Sequence, residues 1–284
     1  MNKPSLAFAA IALGATPATP LSAQEAQNDA RAYLDRIAAI DDAGPELNAV
    51  IAVNRNAPDE ARVAEAAGLP LAGRTVLVKD NIETRELPTT AGSLALAGNN
   101  TGRDAPLIAN LRAAGGVVLG KANLSEWANI RSNNSTSGWS AVGGLTRNPH
   151  ATDRNSCGSS AGSGAAVAAH LAWAAIGTET DGSITCPASI NGVVGFKPTV
   201  GLISRTHVVP ISHSQDTAGP MARSVADAAL LLNRLALGVW FVMAGCGKVF
   251  DFGMGKWMTM FKAMAPTWMP DAITTPYGYA LPFI

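Results

Sequence analysis

The sequence predicts an α/β fold built on a sheet with parallel strand pairs. Two short β-branched, apolar runs, Thr75-Val76-Leu77-Val78 and Val117-Val118-Leu119-Gly120, read as buried strands. Between them, residues 104–113 carry a helical pattern, with Asp104 placed to cap it and Pro106 tolerated in its first turn. Strand, helix, strand in that order is the unit that sets neighbouring strands parallel. The third observation is a pair of small, glycine-rich polar segments, residues 157–164 and 177–183. They flank an alanine-rich run, residues 165–175, that reads as a buried helix.

The other elements follow in chain order. Residues 1–23 read as a secretory signal peptide: Lys3 supplies a positive start, residues 6–13 an apolar stretch, and Leu21-Ser22-Ala23 a small-residue cleavage site. The expected product is exported, periplasmic or extracellular, with an unprocessed terminus as the alternative. Residues 24–40 place Ala32, Leu34, Ile37 and Ala38 near helical spacing. Residues 47–53 read as a short strand, and the alanine- and charge-rich residues 57–68 as a helix. Residues 121–139 turn polar and irregular. Asn129, Asn133, Asn134, Ser135 and Ser137 are types that bond nearby backbone in loops. Trp127 and Trp139 read either as cleft-lining residues or as ordinary core and rim tryptophans.

At 284 residues the chain can bury a sizeable core. Its 21 basic and 21 acidic residues balance, so nothing points to nucleic acid as a partner. Cys157, Cys186 and Cys246 lack metal-ligand spacing, and no cofactor or metal is expected. Cys157 and Cys186 are read as small packing residues. A disulfide between them stays open, because a sequence does not give the distance it needs. His150, His170, His207 and His213 show no triad spacing and are read as structural or rim residues.

Side chains as small as those of residues 157–164 and 177–183 let a ligand approach the backbone closely. Gly-Ser turns also aim backbone N–H groups into a common space, which suits an anion or an oxyanion. A flexible linker would not lead into an apolar helix, and a phosphate loop would end in Gly-Lys-Ser/Thr. Lys79 closes a buried strand, so its amine must be solvated, paired or functional. From the residues alone, an ion-paired lysine is the commoner outcome.

Several blocks in order carry a resemblance. They are Val78-Lys79-Asp80-Asn81, Gly120-Lys121-Ala122-Asn123-Leu124-Ser125-Glu126-Trp127-Ala128 and the two Gly-Ser segments. Phe196-Lys197-Pro198-Thr199 and Gln215-Asp216-Thr217-Ala218-Gly219-Pro220-Met221-Ala222-Arg223-Ser224 follow. Over residues 26–233 the chain resembles the amidase signature family, and within it the peptide amidases. The resemblance implies a mixed β-sheet flanked by helices. It also implies hydrolysis of a small or peptide carboxamide by a Ser-Ser-Lys triad through an acyl-enzyme. Lys79 would be the base, Ser159 the bridging serine in a cis peptide bond, and Ser183 the nucleophile. Backbone N–H groups of Thr180, Asp181, Gly182 and Ser183 would hold the oxyanion, with Ser160 in support. Asp181 stands where many members carry glycine; the Thr-Asp-Gly-Ser form matches peptide amidases. Ser137-Gly138-Trp139, with Trp127, resembles the substrate-facing loop of that group.

Composition changes near the end. From Leu235 onward come three of six tryptophans, five of seven phenylalanines and six of eight methionines, which marks a boundary there. Three parts are therefore expected: a signal peptide (1–23), an amidase domain shorter than the family's (24–234), and a hydrophobic, aromatic tail (235–284). The tail resembles the first membrane segment of DoxX-like proteins, implying membrane association; a buried core helix followed by a disordered end is the alternative reading. Its uncharged run, residues 235–247, is shorter than the roughly twenty residues a span requires. Two alternatives to an active hydrolase stay open. One is a catalytically impaired, truncated amidase fused to a membrane-associated segment; the other is an amidotransferase subunit supplying ammonia.

Overall fold

The computed structural model describes residues 23–246. Residues 1–22 of the expected signal peptide and 247–284 of the expected tail lie outside the described residues. The α-helices among the described residues, in chain order, are α1 (Ala23–Ile40), α2 (Ala57–Ala66), α3 (Pro106–Ala113), α4 (Ala161–Ala168), α5 (Thr185–Ile190) and α6 (Val225–Cys246). The strands are β1 (Val50–Val53), β2 (Thr75–Lys79), β3 (Val117–Ala122), β4 (Trp139–Ser140), β5 (Gly144–Leu145), β6 (Arg147–Asn148), β7 (Ala151–Asn155), β8 (Ala174–Glu179), β9 (Val194–Gly195) and β10 (Thr217–Ala222).

Six strands form one mixed sheet in the order β1-β3-β2-β8-β10-β9. The central pairs, β2 with β3 and β2 with β8, are parallel; β1, β9 and β10 pair antiparallel. This is the mixed α/β architecture expected. Strand alternation divides the core in two. Leu77, Leu119 and Ala175 join a cluster with α1, α2 and α4 on one face. Val76, Val78, Val118, Ala174 and Ile176 join another with α3 and α6 on the opposite face. Lys79 is the next residue on the Leu77 side, and it ends its strand.

Three local expectations are corrected. The buried helix runs over Ala161–Ala168 rather than 165–175, because Ala174 and Ala175 belong to β8. β8 is central in the sheet and buried on both faces, so its apolar run carries no alternation to betray it. The helix starts early because its glycines permit close contact with the sheet: a Cβ at Gly162 would stand 2.2 Å from Ala49 O. Asp104 does not cap α3, whose N-cap is Ala105. The Asp104 carboxylate instead accepts from Arg112 Nε at 3.0 Å and Arg85 N at 3.0 Å. Finally, β3 extends through Lys121 and Ala122, so the irregular stretch begins later than expected.

Helix α6 runs without interruption through residues 234 and 235, where composition changes. Leu235 is buried against the α3 face, and Asn110 Nδ2 donates to its carbonyl at 3.1 Å. Among the described residues no helix is long and apolar enough to cross a membrane.

Candidate active site

The site lies at the ends of β2 and β8 and the start of α4. Lys79 is fully buried, and its Nζ reaches three oxygens: Ser159 Oγ at 2.7 Å, Thr178 Oγ1 at 2.8 Å and Thr178 O at 3.2 Å. Gly177 beside it keeps space open, since a Cβ there would come within 2.8 Å of Ser160 Oγ. None of the three partners of Nζ is a carboxylate. Burial lowers the Lys79 pKa from 10.5 to about 7, while the more distant charges of Glu179 and Asp216 oppose that shift. A neutral amine has two N–H donors and one lone pair, and a serine hydroxyl can donate to that lone pair. The amine is therefore placed to accept the Ser159 proton.

Ser159 is buried and follows a cis peptide bond from Gly158. Ser160 is buried too and ties two segments together. Its Oγ donates to Thr178 O at 3.0 Å and accepts from Thr178 N at 3.2 Å, and its N–H donates to Ser183 O at 3.0 Å. Ser183 stands half-exposed in the turn between β8 and α5. Among the described residues its hydroxyl is not hydrogen-bonded to Ser159; the two segments meet through Ser160.

That turn is held by charges the sequence reading did not single out. Glu179 Oε2 accepts from Ile184 N at 2.7 Å and Thr185 N at 2.8 Å. Burial of Glu179 opposes its ionisation. The N–H groups of Thr185, Ile184 and Gly182 and the Lys197 ammonium outweigh it, so its pKa falls below the usual range. Lys197 Nζ donates to Thr180 O at 2.6 Å, and Thr180 Oγ1 donates to Asp216 Oδ1 at 2.5 Å. Asp216 Oδ2 also accepts from Ile211 N at 2.8 Å and Ser212 N at 2.9 Å. With Ile184 and Thr185 committed to Glu179, the N–H groups of Asp181 and Ser183 have no protein acceptor among the described residues. Gly182 adopts a left-handed φ of 78° between them. Asn81 Nδ2 donates to Thr178 Oγ1 at 3.0 Å.

Beside Lys79 sits a second buried lysine. Lys121 Nζ lies 3.3 Å from Asp80 Oδ1 and donates to Ile82 O at 2.7 Å and Thr89 Oγ1 at 2.8 Å. Asp80 Oδ2 accepts from the hydroxyl and N–H of Thr90. Both residues stand in motif blocks visible in the sequence. Their pairing needed the knowledge that β2 and β3 are adjacent and parallel.

The expected substrate residues divide. Trp139 is 45% exposed on the rim of a cavity of about 310 Å³, with Glu126, Asn129, Arg131 and Thr136. Trp127 lies beneath the Arg131 guanidinium, 5.3 Å from ring centre to Cζ. Ser137 and Gly138 lie against the Gly158 segment instead: a Cβ at Gly158 would come within 2.9 Å of Ser137 Oγ and 3.3 Å of Gly138 N. Cys157 and Cys186 are not merely packed together; they form a disulfide. Among the described residues no cluster of three or more His, Cys, Asp or Glu is placed to hold a metal.

A family model named Amidase matches residues 30–237. The structure is similar to native peptide amidase from Stenotrophomonas maltophilia, with 58% identity and a TM-score of 0.73. The match covers 74% of this chain and 44% of that one. The sequence is 49% identical over 212 residues to a protein named "Probable amidase" in Arabidopsis thaliana, covering 72% of this chain and 41% of that protein. It is 44% identical over 207 residues to a glutamyl-tRNA(Gln) amidotransferase subunit from Thermus thermophilus, covering 73% and 42%. The chain thus spans about two fifths of the length of these relatives.

Proposed function

The chain belongs to the amidase family, and on that premise we propose that it is an amidohydrolase. Its substrate class is a carboxamide, either a small amide or the C-terminal amide of a peptide, converted to carboxylate and ammonia. The peptide option is supported by the likeness to peptide amidase and by the open cavity beside Trp139.

In the proposed mechanism neutral Lys79 takes the proton of Ser159, which takes that of Ser183 as Ser183 Oγ bonds to the amide carbon. Burial supplies the low pKa that this step requires near neutral pH. The developing oxyanion meets N–H groups of the turn at residues 180–183, with those of Asp181 and Ser183 the least committed elsewhere. The lysine proton returns through Ser159 to the leaving nitrogen, the C–N bond breaks, and ammonia departs. Water then attacks the acyl ester by the same relay, releasing carboxylate and restoring the Ser183 hydroxyl. For Ser183 to share a proton with Ser159, its hydroxyl must turn toward it.

The observation that carries this reading is a fully buried lysine 2.7 Å from a buried serine, with no carboxylate in contact. Ammonia release from a peptide amide, followed for the full chain and for Ser183→Ala, tests it. The variant should lose roughly 100-fold or more in kcat; an unchanged rate would reject Ser183 as nucleophile. A second reading, in which the chain supplies ammonia to a partner, is favoured by the likeness to the tRNA-dependent amidotransferase. It predicts release from glutamine that rises when partner subunits are added.

A further inference from the structure

We propose that the Cys157–Cys186 disulfide is a positioning clamp for the serine relay, and that a thiol reductant releases it. The inference rests on the reading of Ser159 and Ser183 as relay and nucleophile.

The placement of the bond carries the argument. Cys157 lies two residues before Ser159, and Cys186 lies three residues after Ser183. The two serines reach the site on separate segments, one entering α4 and the other leaving β8 for α5. The Ser160 hydroxyl ties the first segment to Thr178, ahead of the turn; past Thr178, the segments are held by the disulfide and by two further hydrogen bonds. Ser160 N donates to Ser183 O at 3.0 Å, and Asn191 Nδ2 donates to Ser156 O at 2.9 Å. Of these only the Ser160–Ser183 bond reaches the half-exposed turn itself, and such a bond opens readily, whereas a covalent bond does not. Cys157 itself is pinned from the other side by its N–H donating to Asn155 Oδ1 at 2.7 Å. The clamp therefore holds together the two chain segments whose hydroxyls must exchange a proton. Proton relays lose efficiency steeply with misplacement.

The bond is also reachable, since both cysteines are half-exposed. Release follows ordinary thiol–disulfide exchange. The thiolate of a reductant attacks one sulfur, forming a mixed disulfide and expelling the other cysteine as thiolate. A second reductant thiolate then attacks the reductant's own sulfur in the mixed disulfide. The products are two cysteine thiols, once protons are taken up, and one oxidised reductant disulfide.

The test compares the full chain, with and without dithiothreitol, and Cys157→Ser/Cys186→Ser. Reduction should lower kcat by about 10- to 100-fold with KM changed less than about 2-fold, and reoxidation should restore it. The double variant should start at the low kcat and ignore the thiol. A purely structural bond would lower the melting temperature and leave the kcat of the folded enzyme unchanged. A second measurement does not depend on turnover: hydrogen exchange at the Ser160 amide. Its exchange should rise about 10-fold on reduction. An unchanged kcat in folded, reduced enzyme overturns the clamp. Unchanged Ser160 exchange does the same, even if the oxidised chain hydrolyses no amide. Absence of hydrolysis by the oxidised chain counts against the enzymatic reading instead.

Discussion

Two lysines lie in the last two residues of adjacent parallel strands, both fully buried, yet their surroundings differ in kind. Lys121 points its ammonium at Asp80, a backbone carbonyl and a threonine hydroxyl. Lys79 meets a carbonyl and two hydroxyls and no carboxylate. Burial pushes both amines toward neutrality, and it pushes Asp80 upward too; only in the Lys121–Asp80 pair does a direct partner oppose it. The same residue type, one strand apart, is thus an ion-pair member in one case and, in the proposed mechanism, the base in the other. Partner chemistry makes the difference, not depth. Lys121 fastens residues 80–92 to the sheet end, and Lys79 is left free to take a proton.

The largest expected effect separates the two by activity. Lys79→Met should lower kcat by between roughly 100-fold and 10,000-fold, the range of a lost general base. Lys121→Met should lower kcat of the folded fraction far less. A comparable kcat loss in folded Lys121→Met would erase the distinction.

Stability should order them the other way. Lys121→Met leaves the Asp80 carboxyl buried and unpaired, at a cost of about 3–5 kcal/mol. Lys79→Met removes a group that opposes folding. The folded Lys79 has a pKa of about 7 against an ordinary value of 10.5, so between those pH values the unfolded chain holds a proton the folded one lacks. Native stability should rise with pH across that window, and the penalty, up to about 5 kcal/mol, should be fully present below pH 7. Urea midpoints measured from pH 6 to pH 10 should show this slope in the native protein and its loss in Lys79→Met. A slope that persists in the variant would mean another group titrates.

Much of this architecture was legible in the chain. The β-branched run at 75–78 gave a buried strand, and its terminal lysine was conspicuous because a buried amine requires a reason. The resemblance named Ser159 and Ser183, which sit beside Lys79 and on the adjoining turn. What escaped notice depended on distance across the fold. Glu179 and Asp216 are 37 residues apart in number, yet they hold opposite sides of the Thr180 turn. The 165–175 run read as one helix because a strand buried on both faces has no period of two. The Cys157–Cys186 bond lay open for a similar reason: 29 residues of separation do not specify 6.1 Å between Cα atoms.

The smallest effect tests the electrostatic half of the comparison. If Lys79 is the base, kcat/KM should fall on the acid side with a midpoint near pH 7. Glu179 and Asp216 raise the pKa of Lys79 through space without touching it. Glu179→Gln removes one negative charge and keeps an oxygen for the turn's N–H groups. The acid limb should move to lower pH, by a few tenths of a unit, and Asp216→Asn should move it the same way. The shifts should shrink when the profiles are repeated in high salt, to the extent that solvent reaches the intervening space. Midpoints that stay fixed, or move upward, in both variants would show that the limb does not report Lys79, and the base would have to be sought elsewhere in the site.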